Sequence, residues 1–304
     1  GTTPVAQGIG NYQLTQADCD RLKVNPESTV SLYMGQRDKY DGNFELHLDP
    51  AASYQIKLRP KNFTPPTSGN IDVTNMTDVV AQITIRAALE AGHTDLKLTG
   101  ELSKIGIGGQ WGTFANNTQI TTCDLTEVTG WGTTPTLPEL AFKDCTKLQE
   151  VTLPDGVQVI GEYAFIRCAA LTTVNLSQVT RIDESAFWGC TSLKTLTLDN
   201  VTTIDHDAFY GCTGLETLKI PKCTRFGAYI VTGCKALTRI EAIAAGDFVH
   251  ISDGSSIERT AVFHNRTAHS GDNAFDPAKC DLVLNADKQQ GGGAAPTATA
   301  NNEW

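Results

Sequence analysis

The chain has 304 residues, 40% hydrophobic and 19% charged, with 24 basic against 34 acidic side chains and a formal charge of −10. Its 27 glycines and 12 prolines are at ordinary levels, which excludes collagen-like and wholly disordered chains. Net acidity without a basic block argues against nucleic acid or an anionic membrane surface as the main partner, and no apolar run approaches the roughly 18 residues of a membrane span.

From the N-terminus, residues 1–66 show short alternating runs at 29–34, 44–48 and 54–58, separated by turn signals such as Asp41-Gly42 and Asp49-Pro50. They predict a small N-terminal β module. Residues 67–77, entered through Pro65-Pro66-Thr67-Ser68-Gly69, read as a linker. A capping helix is expected next, with Thr77 as N-cap, Gly92 just past its end, and Val80, Ile83, Ala87 and Ala91 on one face.

The dominant signal follows. Cys145, Cys168, Cys190, Cys212 and Cys234 are spaced 23, 22, 22 and 22 residues apart. Each anchors the pattern A-F-x-x-C-x-x-L-x-x-V/L-x-L followed by V-x-x-I. Ladders of like residues result: Phe142, Phe165, Phe187, Phe209 and then Tyr229; Leu148, Leu171, Leu193, Leu215 and Leu237; Ile160, Ile182, Ile204 and Phe226. V-x-L has the period of a strand with one buried face, and A-F-x-x-C-x-x-L the spacing of a single helical or 3₁₀ turn. A 22-residue unit holding one strand and one turn is a leucine-rich repeat, which buries its apolar side chains only by stacking on copies of itself.

The phase extends outward. Phe114, Ile120, Cys123 and Leu125 precede Phe142, Leu148, Val151 and Leu153 by 28 residues, and Leu96-Lys97-Leu98 supplies an earlier step. Downstream, Ala274-Phe275 and Leu282-Val283-Leu284 continue it, with a missing step expected near Ala261-Val262-Phe263. The prediction is a leucine-rich repeat solenoid over 78–287 with a parallel sheet of about nine strands, then a flexible tail at 288–304.

The repeated motif, strong over residues 137–242, resembles the BspA-like (Treponema pallidum-type) leucine-rich repeat family, and AGHTDLKLTGEL ahead of it is similar to the lead-in of such proteins. That resemblance implies an exported, non-catalytic surface protein, often lipid-anchored, of oral and gut anaerobic bacteria. It would act as an adhesin for host proteins or other cells, a host matrix protein being one candidate partner. Gly1-Thr2-Thr3 lacks an initiator Met, so a mature chain with its export signal removed is expected, reaching a membrane only through a removed anchor.

The candidate binding surface is the exposed sheet face: Asp124, Thr152, Asn175, Thr197, Lys219 and Glu241 in one column, Glu150, Thr173, Thr195, Thr217 and Arg239 beside it. The chain's 39 threonines suit such a face, and equally suit plain solvated strands. Trp111, Trp131 and Trp188 compete with it, and exposed tryptophans there would favour the alternative of a glycan-binding surface protein serving nutrient capture.

Other constellations read as structural. Ladder cysteines are expected to be reduced and buried, because stacked side chains point in parallel rather than at one another. A Cys223–Cys234 bridge is the off-ladder pairing considered. Gly106, Gly108, Gly109 and Gly112 lack the lysine of a phosphate loop. Asp183, Glu184, Asp205 and Asp207 lack the order of a calcium loop, and Ser185 and Asp207 are expected to cap a helical turn. His264 and His269 read as loop residues, and the six N-x-S/T sequons at Asn62, Asn75, Asn116, Asn175, Asn200 and Asn265 as coincidences of composition. No catalytic, cofactor or metal residues are assigned.

Overall fold

In this computed structural model the described residues are 63–109, 112–243, 248–254, 262, 263 and 280, together with the backbone of five strands at 12–13, 44–47, 55–60, 256–257 and 281–285. The chain divides into two compact units, 1–66 and 67–304. In the first, β1 (Tyr12–Gln13), β2 (Phe44–His47) and β3 (Gln55–Pro60) form an antiparallel sheet in the order β1-β3-β2, with Leu46 opposite Leu58. The run expected at 29–34 lies outside the described residues.

The second unit begins earlier than its repeats suggest. Within the stretch read as a linker, β4 (Asn70–Asp72) pairs in parallel with β5 (Asp95–Glu101), Ile71 opposite Leu98. Between them runs α1 (Asp78–Glu90), capped by the Thr77 hydroxyl, which accepts from the Val80 N–H at 3.4 Å, with Gly92 beyond its end at φ +91°. Its buried face is Ala81, Thr84, Ile85, Ala88 and Leu89. Of the four residues expected there only Ala87 is buried, and Ala91 is exposed. Thr84 concealed the true stripe: its hydroxyl donates to the Val80 carbonyl at 2.7 Å, so a polar letter sits on an inward position at no cost in unpaired groups.

After α2 (Leu102–Ile105) the coils stack. Each contributes one strand to a front sheet: β6 (Thr122–Thr129), β8 (Glu150–Thr152), β10 (Thr173–Val174), β12 (Thr195–Thr197), β14 (Thr217–Ile220), β16 (Arg239–Ile243) and finally β19 (Asp281–Asn285). Each also contributes a two- or three-residue strand to a back sheet: β7 (Thr136–Leu137), β9 (Val159–Ile160), β11 (Arg181–Ile182), β13 (Thr203–Ile204), β15 (Arg225–Phe226) and β17 (Phe248–His250), with β18 (Ser256–Ile257) antiparallel at the end. The back sheet is continuous over seven strands.

The third side of each coil carries A-F-x-x-C. There the expected helical turn takes the form of successive i→i+3 turns, such as Ala186 N–H to Asp183, Trp188 N–H to Ser185 and Cys190 N–H to Phe187. The intervening N–H groups donate instead to the next coil: Ser185 to His206, Phe187 to Ala208, Gly189 to Tyr210. Aiming alternate N–H groups along the stack requires left-handed backbone, at Ser185 (φ +54°) and Asp207 (φ +53°), and at Gly189 and Gly211. Ser185 and Asp207 are thus turn residues rather than helix caps.

Inside, Phe114, Phe142, Phe165, Phe187 and Phe209 stack with centroids 5.2–5.8 Å apart. Tyr229 does not continue the series. Phe209 N–H donates to Ile230 as Phe187 N–H does to Ala208, so the next residue, fully buried Val231, takes the aromatic seat, and Tyr229 aligns with Asp207 in left-handed backbone. Counting from the cysteine gives this alignment; matching aromatic letters does not. The missing strand near 261–263 is also absent: β16 pairs directly with β19, Ile240 opposite Leu282, so one long coil spans both. Val262 and Phe263 instead bury into the core, Phe263 edge-on to Phe226 and Phe248. Ala274-Phe275 lies outside the described residues.

The stack makes each buried ring a support for its two neighbours. Phe165→Ala should therefore lower unfolding free energy by about 3–5 kcal/mol, and Thr77→Ala, which removes only a cap, by about 1 kcal/mol, as read by urea denaturation.

Candidate functional site: the front sheet and the turn face

The cysteine ladder is a hydrogen-bonding device as well as an apolar one. Each thiol donates to the phenylalanine carbonyl of the preceding coil: Cys145 to Phe114 (3.0 Å), Cys168 to Phe142 (3.0 Å), Cys190 to Phe165 (3.2 Å), Cys212 to Phe187 (3.1 Å) and Cys234 to Phe209 (3.2 Å). Those carbonyls accept within their own turns too, and the buried thiol fills their second lone pair. Cys223 and Cys234 are both free thiols, so the bridge considered between them is not formed. Burial pushes the Cys145 and Cys212 thiols up to about 12, and Cys123, Cys168, Cys190 and Cys234 well above the ordinary value of 9.0.

Other candidates resolve one by one. Asp183 binds Arg181, and Asp205 binds His206 Nδ1 at 2.7 Å, so these acids do not converge as a calcium loop would. Among the described residues no three His, Cys, Asp or Glu side chains are grouped to hold a metal. His250 Nδ1 meets both Ser252 Oγ (2.7 Å) and Asp253 (3.9 Å); a nucleophile–base–acid relay needs its partners on opposite ring nitrogens. The glycine run forms the bend after α2, with Gly106 at its end. Trp131 is structural: its indole N–H donates to the Val128 carbonyl at 2.7 Å and its ring packs on the core. Cys19, Trp111, His264, His269, Asn62 and Asn265 lie outside the described residues.

The structure brings the sheet-face residues into the two expected columns. In register lie Thr122, Glu150 and Thr173, and beside them Asp124 and Thr152; then Thr195, Thr217 and Arg239, with Thr197, Lys219 and Glu241. Charges on this face are largely matched within it. Lys97 pairs with Glu127 at 2.7 Å, Lys219 with Glu241 at 3.6 Å, and Arg239 Nε with Glu241 at 2.7 Å, which holds the Glu241 carboxyl below its usual range.

Sequence reasoning missed that the face is not one sheet. Its nine strands fall into a block of five, β4 to β10, and a block of four, β12 to β19, and among the described residues no backbone hydrogen bond joins β10 to β12. Elsewhere the step is regular: Thr172 and Thr173 N–H share the Gln149 carbonyl, and Glu216 and Thr217 N–H share that of Lys194. The equivalent step, Lys194 and Thr195 onto Thr172, is not made. On the other edge of the same strand, Asn175 continues the β8 side with its side chain: its amide stands in for a peptide group, accepting from Leu153 N–H at 2.7 Å and donating to the Leu153 carbonyl at 2.9 Å. Val174 is only partly buried, unlike Val151, Leu196, Leu218 and Ile240 in the same seat.

A cavity of about 250 Å³ lies where β10 and β12 fail to pair. Thr172, Thr173, Thr195 and Thr197 line it with hydroxyls, Val174, Leu176, Leu193 and Leu196 with apolar groups, and Phe187 closes its base. Both other sides stay shut, since β11 pairs with β9 and β13, and Phe165 and Phe187 stack at 5.2 Å.

Six copies of the BspA type leucine-rich repeat region are recognised over residues 113–238, so the coils of this stretch are BspA-type repeats. Similar solved structures include a leucine-rich repeat protein from Bacteroides ovatus (24% identity over 57% of this chain and 36% of that one, TM-score 0.37) and the T. pallidum leucine-rich repeat protein (24%, 40% and 52%, 0.32). A leucine-rich cell surface protein from Faecalibacterium prausnitzii is similar at 22% identity over 72% of this chain and 56% of that one, TM-score 0.36. This chain thus spans from about a third to just over half of their lengths. No curated protein matches. Among the described residues no helix is long and apolar enough to cross a membrane.

Two measurements check the thiol assignment. Iodoacetamide at pH 8 should leave Cys145, Cys168, Cys190, Cys212 and Cys234 unlabelled in the native protein and label all of them in urea. Because the folded thiols hold their protons to higher pH than unfolded ones, stability should be flat below about pH 8 and fall from about pH 9 towards 12, as followed by urea melts across that range.

Proposed function

We propose that the front sheet is the recognition surface of a non-catalytic, adhesin-like protein displayed outside the cell, and that the cavity between β10 and β12 is its centre. BspA-type repeats are protein-interaction scaffolds, and stacked coils leave one long sheet surface free for a partner. The single observation that carries the reading is the interruption of that sheet. It leaves two facing strand edges with unpaired backbone groups, Thr172 on one side and Lys194 and Thr195 on the other, above an apolar floor. Unpaired edges are templates for a partner's main chain, and a partly apolar recess with polar walls suits an anchoring side chain.

The non-catalytic part rests on what the reactive groups are doing. The ladder thiols are protonated, buried and occupied with carbonyls. The described histidines near acids or hydroxyls are engaged through a single ring nitrogen. Export and surface display rest on the family to which the repeats belong, and the host or cellular partner on the same ground.

The test is binding of the intact chain to panels of extracellular-matrix and serum proteins and to epithelial and bacterial cells. The double variant Thr173→Arg, Thr195→Arg plugs the recess with exposed side chains and should keep the thermal midpoint within a few degrees while lowering affinity for the bound partner at least about tenfold. Arg181→Ser, on the back sheet, should bind as wild type does. A partner bound equally well by the double variant would place recognition elsewhere.

A further inference from the structure

We propose that Trp188 and Tyr210, on the turn face, form a binding platform for a neutral pyranose saccharide, separate from the front sheet and independent of its assignment.

The two residues occupy the same position in successive coils, two before the ladder cysteine, where the preceding coils carry Lys143 and Ile166. Phe187 and Phe209, their neighbours in sequence, point inward and are fully buried, while Trp188 and Tyr210 are each half-exposed. Their ring centroids lie 4.4 Å apart with planes inclined at 42°, which makes a shallow aromatic trough along the stack. Stacking in a repeat fold explains buried aromatics; it gives no reason for an outward pair.

Hydrogen bonding separates this pair from Trp131. The Trp131 indole N–H is spent on a backbone carbonyl. Among the described residues neither the Trp188 indole N–H nor the Tyr210 hydroxyl has a hydrogen-bond partner, so both are free for a ligand. Beside the rings the following position is glycine in both coils. A Cβ at Gly211 would meet nothing nearer than 4.0 Å, so a ligand can lie against the main chain there. A Cβ at Gly189 would meet Arg167, its Cγ at 3.5 Å and its backbone Cα and N at 3.6 and 3.8 Å. The Arg167 guanidinium closes that end through a two-pronged pair with Asp144, Nη2 to Oδ2 at 2.8 Å and Nε to Oδ1.

The chemistry of the ligand follows from these surroundings. Aromatic faces with free polar edges suit a ring that shows C–H groups on one face and hydroxyls around its rim. The border is the Asp144 carboxylate held between the Arg167 guanidinium and the Lys143 ammonium, 4.0 Å from it, ion-paired groups that can also bond hydroxyls. A sugar pyranose has this shape and polarity. A proline-rich segment could also stack on the rings, but it has no donors in its rings to meet the Asp144 carboxylate or the Tyr210 oxygen.

The experiment is a screen of the intact chain on an array of neutral oligosaccharides (mannans, β-glucans, galactans and N-acetylglucosamine oligomers), followed by calorimetric titration of the best binder. Trp188→Ala should weaken binding about tenfold or more, Tyr210→Phe a few-fold, and Arg167→Ala a few-fold, with circular-dichroism melts confirming that each folds. The front-sheet double variant Thr173→Arg, Thr195→Arg should bind the saccharide as wild type does, so failure of one site is distinguishable from failure of the other. The assignment is overturned if no neutral saccharide binds. It is also overturned if all three turn-face variants keep wild-type affinity, or if polyproline peptides compete for the platform and sugars do not.

Discussion

The structure depends on one constraint: the polar backbone groups that a coil's own tight turns leave over must find their partners on the coil above or below, at the same position in the repeat. A 22-residue coil is too short to satisfy itself with helix or hairpin, so these N–H and C=O groups are directed along the stack on all three sides. On front and back this is ordinary parallel pairing. On the turn side it is bought with left-handed residues, and the carbonyls of the phenylalanine ladder receive an additional bond from a thiol. Cysteine fits because it is small enough for the spine, apolar enough to be buried there, and still a donor. Alanine would leave the carbonyl's second lone pair unmet, and serine would bring a hydroxyl with two acceptor pairs of its own into an apolar layer.

That constraint also explains how much of the fold could be read from letters. A position that must repeat in space must repeat in sequence, so the coil phase, the buried ladders and the parallel pairing were legible from residues 114 to 242. What was not legible lies where the period is broken or disguised. β16 and β19 are neighbours in the front sheet although 37 residues separate them in sequence, and periodicity alone turned that span into two coils. Tyr229 was misplaced because its chemistry, not its distance from Cys234, was matched. The helix face was turned because Thr84 reads as polar although its hydroxyl is satisfied within the helix. β4 has three residues and one apolar letter, too little to distinguish it from a linker.

For the candidate site, the columns of the front face were legible and their interruption was not. Thr172, Lys194 and Thr195 are letters of an ordinary strand step, so the loss of their pairing leaves no mark in the repeat. The gap stays local because the stack is held on three sides. A ladder failing on one side cannot separate the coils while the back sheet and the phenylalanine stack still hold, so the defect becomes a recess instead of a break. A fold held on one side only could not carry such a feature without losing the coil.

The same reasoning bears on how the two outer surfaces differ. On the front sheet, charged side chains are matched with one another, as in Lys97 with Glu127 and Arg239 with Glu241, and exposed pairs of that kind contribute little energy to a partner that must displace them. What remains available is threonine hydroxyls and the unpaired strand edges, groups suited to a main chain rather than to a charge pattern. On the turn face the alternate turns push every second side chain outward, and the left-handed position after it is glycine in two coils, Gly189 and Gly211, and Asp144 or Arg167 in others. Half-buried rings next to bare backbone are therefore an outcome that this backbone makes easy and that a flat sheet does not. One repeat thus presents two chemically different surfaces, and substitutions outside the apolar spine can change either of them without disturbing the stack.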